Sequence, residues 1–202
     1  MKILFASAAI ALLAGTAQAE TRPLADFTGI SASAGTRVEM AIGPIFSVDV
    51  EGRDAAKIVT RVEAGRLIVE RERGWNWGGR REALVRVSMP SVEALEASSG
   101  ARLDASGVDA ETLELEASSG AVLTVSGACR SFTADASSGA VVRASELHCV
   151  SGAVDASSGA SVTVHASGAL DVDASSGADV VAAGSPQIGD ISLSSGGSLH
   201  RR

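Results

Sequence analysis

An all-β fold is predicted for this chain: a parallel β-helix of about six rungs, capped at its start by an antiparallel β portion. Three observations predict it. The motif Ala-Ser-Ser-Gly-Ala recurs at 97–101, 117–121, 136–140, 156–160 and 174–178, and a degenerate copy, Leu-Ser-Ser-Gly-Gly, stands at 193–197. The motif glycines Gly100, Gly120, Gly139, Gly159, Gly177 and Gly196 follow one another at 18 to 20 residues, a step that suits one turn of a solenoid. Within each repeat apolar residues alternate with polar ones. Leu95, Leu115, Ala134, Val154, Val172 and Ile191 lie five residues before the glycines, and Leu103, Leu123, Val142, Val162, Val180 and Leu199 three after them. A period of two marks strands rather than helices.

Composition agrees with thin, repetitive layers. Of 202 residues 46% are hydrophobic, 20% charged and 3% aromatic, which is too apolar for a disordered chain and leaves a core of Ala, Val, Leu and Ile. The net charge of −7 gives no electrostatic footprint for nucleic acid or anionic lipid.

Residues 1–19 are expected to form a secretory signal peptide: Lys2, an apolar stretch from Ile3 to Ala14, and a small-residue ending at Ala17-Gln18-Ala19. The apolar run is shorter than the roughly 20 residues of a membrane-spanning helix, so cleavage before Glu20 is the expectation, with a periplasmic or secreted product that does not span the membrane. Residues 20–202 are expected to form a single domain, divided near Pro90. The first part, 20–90, alternates in Val38-Glu39-Met40-Ala41-Ile42, Phe46-Ser47-Val48-Asp49-Val50 and Leu84-Val85-Arg86-Val87, with turn signals at Ala34-Gly35, Gly43-Pro44 and Ala64-Gly65. It lacks the glycine period and reads as antiparallel structure covering the first rung, because solenoid ends need protection against edge pairing.

The second part, 91–202, carries the repeats. Recurrent Gly and Ser-Ser pairs disfavour helices. Each rung holds short strands at ~3.3 Å per residue, with Ser-Ser-Gly at a corner and equivalent residues stacked ~4.8 Å apart. A second turn signal follows at Gly107, Gly127 and Gly184. A right-handed coil is the default for parallel crossovers.

Asp26-Phe27-Thr28-Gly29-Ile30, Ser47-Val48-Asp49-Val50-Glu51-Gly52, Val85-Arg86-Val87-Ser88-Met89-Pro90 and the recurring Ser-Ser-Gly-Ala together resemble the putative auto-transporter adhesin, head GIN domain family. The resemblance spans essentially the whole chain after the signal. Members commonly show Ser-Gly-Ser-Gly-Asp-Ile where this chain has Ser175-Ser176-Gly177-Ala178-Asp179-Val180, so one glycine has become Ala178. The resemblance implies a bacterial envelope protein with a β-helical body and a role at the cell surface. It implies no catalytic residues.

Four constellations stand out. Glu96, Glu116, Asp135, Asp155 and Asp173 each lie four residues before a repeat glycine, so in-register stacking would make a carboxylate column in which neighbours repel by roughly 1 kcal/mol or more. Ca²⁺ could relieve that as a hard cation for carboxylate and hydroxyl ligands, or water and salt could screen it. Paired carboxylates also invite a carbohydrate-active enzyme, but rungs of nearly equal length leave no long loops to wall a cleft. Cys129 and Cys149 share one phase in consecutive rungs and could form a disulfide, which export would permit. His148, His165 and His200 make no zinc-ligand spacing with them. Trp75 and Trp77, with Arg80 and Arg81, form the one aromatic-rich stretch, fit either to stack on a sugar or contact an acidic partner, or to fold over the solenoid end. Abundant serines form no catalytic triad pattern. The expected function is therefore non-catalytic: an adhesin-like envelope or surface module that binds glycan or protein or serves a structural role. A carbohydrate-active enzyme is the first alternative, and self-assembly through the terminal rung near Ser192 to Leu199 the second.

Overall fold

The computed structural model describes residues 19–72 and 83–202. Among them the only helical element is a single 3-10 turn at Ala55–Lys57; the rest is strand and turn. Strands β1 (Glu20–Thr21), β2 (Gly29–Ala32), β3 (Arg37–Ile42), β4 (Ser47–Glu51), β5 (Ile58–Glu63), β6 (Arg66–Arg71), β7 (Leu84–Met89) and β8 (Ala94–Ala97) precede the repeats. The repeats supply β9 (Arg102–Ala117), β10 (Val122–Ala136), β11 (Val141–Ala156), β12 (Ser161–Ala166), β13 (Ala169–Ala174), β14 (Asp179–Ala183), β15 (Gln187–Leu193) and β16 (Ser198–Arg201).

The fold is the predicted parallel β-solenoid, and its corners stack in register. Each Ser-Ser-Gly-Ala is a four-residue turn closed from the alanine N–H to the first serine carbonyl, as in Ala121 to Ser118 at 3.1 Å. Both central residues have positive φ, 52° at Ser119 and 70° at Gly120, the signature of a type I′ turn. The second serine therefore sits in the left-handed region beside its glycine. Successive corners are tied by one bond: Gly100 N–H donates to Ser119 O, Gly120 to Ser138 O, Gly139 to Ser158 O, Gly159 to Ser176 O and Gly177 to Ser195 O, all at 3.0–3.1 Å.

Two parallel ribbons meet at these corners. One runs β3, the first part of β9, β10 and β11, then β12, β14 and β16. The other runs β2, β8, the last part of β9, β10 and β11, then β13 and β15. The long strands bend from one ribbon to the other at Gly107 (φ 70°) and Gly127 (φ 135°). A Cβ at Gly127 would lie 2.1 Å from Val108 O, so this bend needs glycine for space as well as for conformation.

Antiparallel strands lie at the N-terminal end as expected: β4 pairs with β7, β1 with β4, and β5 with β6. The same stretch also extends the solenoid. β2 and β3 stack in parallel on β8 and β9, with Ile30 facing Leu95 and Val38 facing Leu103. Beneath them β6 and β7 pair in parallel with β2 and β3. Ser33-Ala34-Gly35-Thr36 takes the place of a repeat corner, with φ 54° and 66° at its centre and the Gly35 N–H bonded to Ser99 O at 3.0 Å.

The two predicted apolar columns are the core. Val38, Leu103, Leu123, Val142, Val162 and Val180 are fully buried, as are Leu67, Ile30, Leu95, Leu115 and Ala134. A third column holds Leu113, Phe132, Gly152 and Leu170. Its large and small members compensate: a Cβ at Gly152 would meet the Phe132 ring at 2.3 Å.

Two substitutions separate backbone strain from packing. Gly139→Ala has open space around its Cβ but φ 68°, and is expected to cost about 1–2 kcal/mol, with Gly139→Asn costing less. Gly152→Ala displaces the Phe132 ring and should cost about 1–3 kcal/mol, recovered by Phe132→Leu in the same chain. Urea unfolding of the four variants checks both.

Candidate functional site

The carboxylate column exists. Glu96 pairs in register with Glu116, Glu116 with Asp135, Asp135 with Asp155 and Asp155 with Asp173, and Ser192 ends the series. All point outward, because they alternate with the buried Leu95, Leu115, Ala134, Val154 and Val172. A second set joins them on the same face: Glu114, two residues before Glu116, and Asp171, two before Asp173. Sequence reading missed this set, since it appears in some rungs and is Thr133 or Ala153 in others.

Charge along the face is uneven. Arg66, delivered by β6, places one nitrogen 2.9 Å from Glu114 and another 3.5 Å from Glu96. Among the described residues Asp135, Asp155 and Asp173 form no ion pair. Burial, then the Glu114 and Glu96 carboxylates, push the Glu116 carboxyl above its ordinary range, with Arg66 working against them. Burial, then Asp155 and Glu114, raise Asp135. An open groove of about 430 Å³ runs along this part of the face, lined by Asp135, Asp155, Asp171, Asp173 and Asp190. The Asp190 N–H donates to Asp171 Oδ1 at 2.9 Å. Among the described residues no three or more His, Cys, Asp or Glu side chains are grouped closely enough to hold a metal ion.

Cys129 and Cys149 face each other across β10 and β11, with Cα atoms 4.5 Å apart, and are joined in a disulfide. Beside them the stack brings together two histidines that sequence spacing left apart. His148 of β11 pairs with His165 of β12, their rings meeting edge to face at 4.5 Å, and His165 Nδ1 is buried without a partner. Phase offered no signal, since His148 follows Gly139 by nine residues and His165 follows Gly159 by six; a register shift between Ala144 and His148 brings them level. His200 lies on β16, 3.2 Å from Asp179. Trp75, Trp77, Arg80 and Arg81, and the predicted signal peptide but for Ala19, lie outside the described residues.

The family model described as "Putative auto-transporter adhesin, head GIN domain" matches residues 26–186. The chain belongs to this family. Its fold recurs in solved structures. A putative adhesin from Bacteroides fragilis is 12% identical, with a TM-score of 0.72 over 94% of this chain and 98% of that one. A putative adhesin from Parabacteroides distasonis is also 12% identical, with a TM-score of 0.57 over the same shares. A structure from the same species described as a putative lipid binding protein is 14% identical, with a TM-score of 0.51, again over 94% and 98%. Identities this low show a shared fold alone. Among curated proteins none matches the chain.

Two outcomes follow. Both carboxyl shifts are upward, so the folded protein holds protons that the unfolded chain has released. The stability these groups contribute is therefore present below the ordinary carboxylate range and lost as pH rises through it to the raised values. Asp135→Asn should melt about 1 °C above the parent at pH 7, with the gap closing as pH falls through about 4. Alkylation without reductant should label neither cysteine, and replacing both with Ala should cost up to about 3 kcal/mol for a loop of 20 residues; mass spectrometry and denaturant unfolding check the pair.

Proposed function

We propose that this GIN-family chain is a non-catalytic binding module of the bacterial envelope, exported and working at the cell surface, where it engages a glycan or another envelope protein. Membership of a family described as an adhesin head carries the reading. The architecture supports it. Corners of one short turn type repeat along the stack, giving a stiff scaffold whose broad faces are available for contact, whereas the acidic groove is open rather than walled by loops. The disulfide suits an oxidising compartment. No helix among the described residues is long and apolar enough to cross a membrane.

The contact surface proposed from sequence is the 74–81 stretch, with Trp75, Trp77, Arg80 and Arg81, since rings stack on sugars and arginines pair with acids. A second reading, a carbohydrate-active enzyme, has one observation in its favour: Glu116 and Asp135 hold their protons more tightly than ordinary carboxyls beside other carboxylates at neighbouring-rung spacing. Ca²⁺ on the outward column is a further proposal, read out as a rise in melting midpoint with millimolar Ca²⁺.

Capture from envelope extract, followed by mass spectrometry and glycan analysis, is expected to retain a defined partner. Trp75→Ala with Trp77→Ala should abolish that retention with the melting midpoint unchanged. Reducing ends released from polysaccharide, lost in Asp135→Asn, would replace the binding reading with the enzymatic one.

A further inference from the structure

The two ends of the solenoid differ in how they are finished. At the N-terminal end Leu67 and Val85 are fully buried, because β5 pairs with β6, β4 with β7 and β1 with β4 beyond that rung. Arg22 Nη1 closes that end by donating to Ile58 O at 2.7 Å and to Thr60 Oγ1 at 3.0 Å. At the other end, among the described residues, β15 and β16 have strand neighbours on one side only. Two of the four large apolar side chains exposed among the described residues sit there: Ile191 at 53% and Leu193 at 45%. Ile191 continues the column of Leu95 to Val172, whose members are at most 3% exposed. This rung, 187–201, also lies beyond the residues matched by the family model.

Charge on the two free edges is opposite. β15 carries one charged residue, Asp190, whereas β16 and the residue after it carry Arg201 and Arg202. Pairing β16 with itself would oppose cations to cations, and pairing β15 with itself leaves Asp190 without a basic partner. Pairing β15 with β16 of another molecule satisfies both edges. It follows from a two-fold axis parallel to the plane of the last rung, about 2.4 Å beyond it (half a strand spacing) and in line with the bisector of the Ser194–Gly197 corner, because that operation exchanges the ribbons and reverses strand direction.

We propose that the chain forms a two-fold dimer through this rung, β15 of each copy adding antiparallel to β16 of the other. The inward/outward alternation of both strands limits the register to steps of two residues, and the register proposed is the one that sets Asp190 opposite Arg202. Leu193 meets Leu199 of the second copy and Ile191 meets its Arg201 on the inward side; Ser192 meets its His200 and Asp190 its Arg202 on the outward side. Arg201 holds an inward position opposite Ala182, with its guanidinium bonded to Pro186 O at 2.8 Å, so its aliphatic stem is left to cover Ile191. Strand addition of this kind satisfies edge N–H and C=O groups and buries the open end of the core. The contact is small, two four-residue pairings, and the dimer is expected to dissociate in the micromolar range. The inference goes beyond the surface-binding reading and does not depend on it.

Sedimentation velocity of the purified chain from about 1 to 200 µM tests it. The expected result is a reversible monomer–dimer equilibrium that stops at the dimer. Asp190→Arg and Arg202→Glu should each weaken it about tenfold, since two symmetry-related pairs change from attraction to repulsion, and the two changes combined should restore it. Melting midpoints within about 2 °C of the parent show that the variants are folded. A monomer throughout the range, single reversals without effect, a double variant as weak as the singles, or open-ended growth beyond the dimer would each overturn the proposal.

Discussion

One hydrogen bond organises this molecule: the N–H of each corner glycine before Gly196 donating to the carbonyl of the serine before the glycine one rung on. It can form only when both central residues of the turn take left-handed backbone angles, because that conformation turns the glycine amide along the coil. Glycine adopts it freely, but serine does so against a steric cost of ~1–2 kcal/mol. The cost is met at Ser99, Ser119, Ser138, Ser158, Ser176 and Ser195 alike. What offsets it is repetition, since each corner accepts from one neighbour and donates to the next, and each strand on either side is thereby locked in register. A solenoid distributes stability in this way, between nearest neighbours rather than through a single centre.

That register explains how much of the fold could be read from sequence. Period-two alternation placed Leu95, Leu103 and their counterparts inside, and the shared phase of Cys129 and Cys149 put them face to face, because both inferences need only equal rung lengths. The corner at Gly35 was harder. Ile30-Ser31-Ala32-Ser33-Ala34-Gly35-Thr36-Arg37-Val38-Glu39 runs parallel in type to Leu95-Glu96-Ala97-Ser98-Ser99-Gly100-Ala101-Arg102-Leu103-Asp104, but Ala34 replaces the serine and the intervening segment breaks the spacing that exposed the other copies. Geometry, not spacing, unites them: β2 and β3 are stacked on β8 and β9 while β4 to β7 fold back beneath. The Phe132 and Gly152 pairing was equally hidden, since a glycine inside a strand reads as a weakness until the ring above it is seen.

The acidic face shows the same logic applied to charge. A repeat that keeps polar residues outward also keeps like charges aligned, and stacking brings them to the spacing of neighbouring strands. Near Glu96 and Glu114 the N-terminal portion supplies Arg66 as a counter-ion. Farther along, among the described residues no basic side chain pairs with Asp135, Asp155 or Asp173, and burial together with the neighbouring carboxylates makes Asp135 and Glu116 hold their protons more tightly. The column was legible in sequence because it follows the repeat. The relief of its charge was not, because Arg66 arrives from a strand thirty residues earlier that joins the stack out of chain order.

Position in the stack, rather than residue type, decides burial at the ends. Leu67, Leu95 and Ile191 occupy equivalent places in one ribbon, related by β6 to β2 to β8 and by β13 to β15. The first two are covered from both sides and the third from one, so an identical apolar choice yields a core residue in two rungs and an exposed one in the last. Protecting such an end takes either a device within the chain or a contact from outside. The N-terminal end has the former, in antiparallel strands and the bridging Arg22. At the C-terminal end Arg201 at an inward position and Ser192 in place of a fifth aspartate or glutamate after Glu96 change the character of the rung, from a link in an acidic column to an edge with a mixed, self-complementary charge pattern. An edge meant only to stay unpaired would gain from further like charges on both strands; opposite charges on β15 and β16 instead favour one orientation of approach over the others.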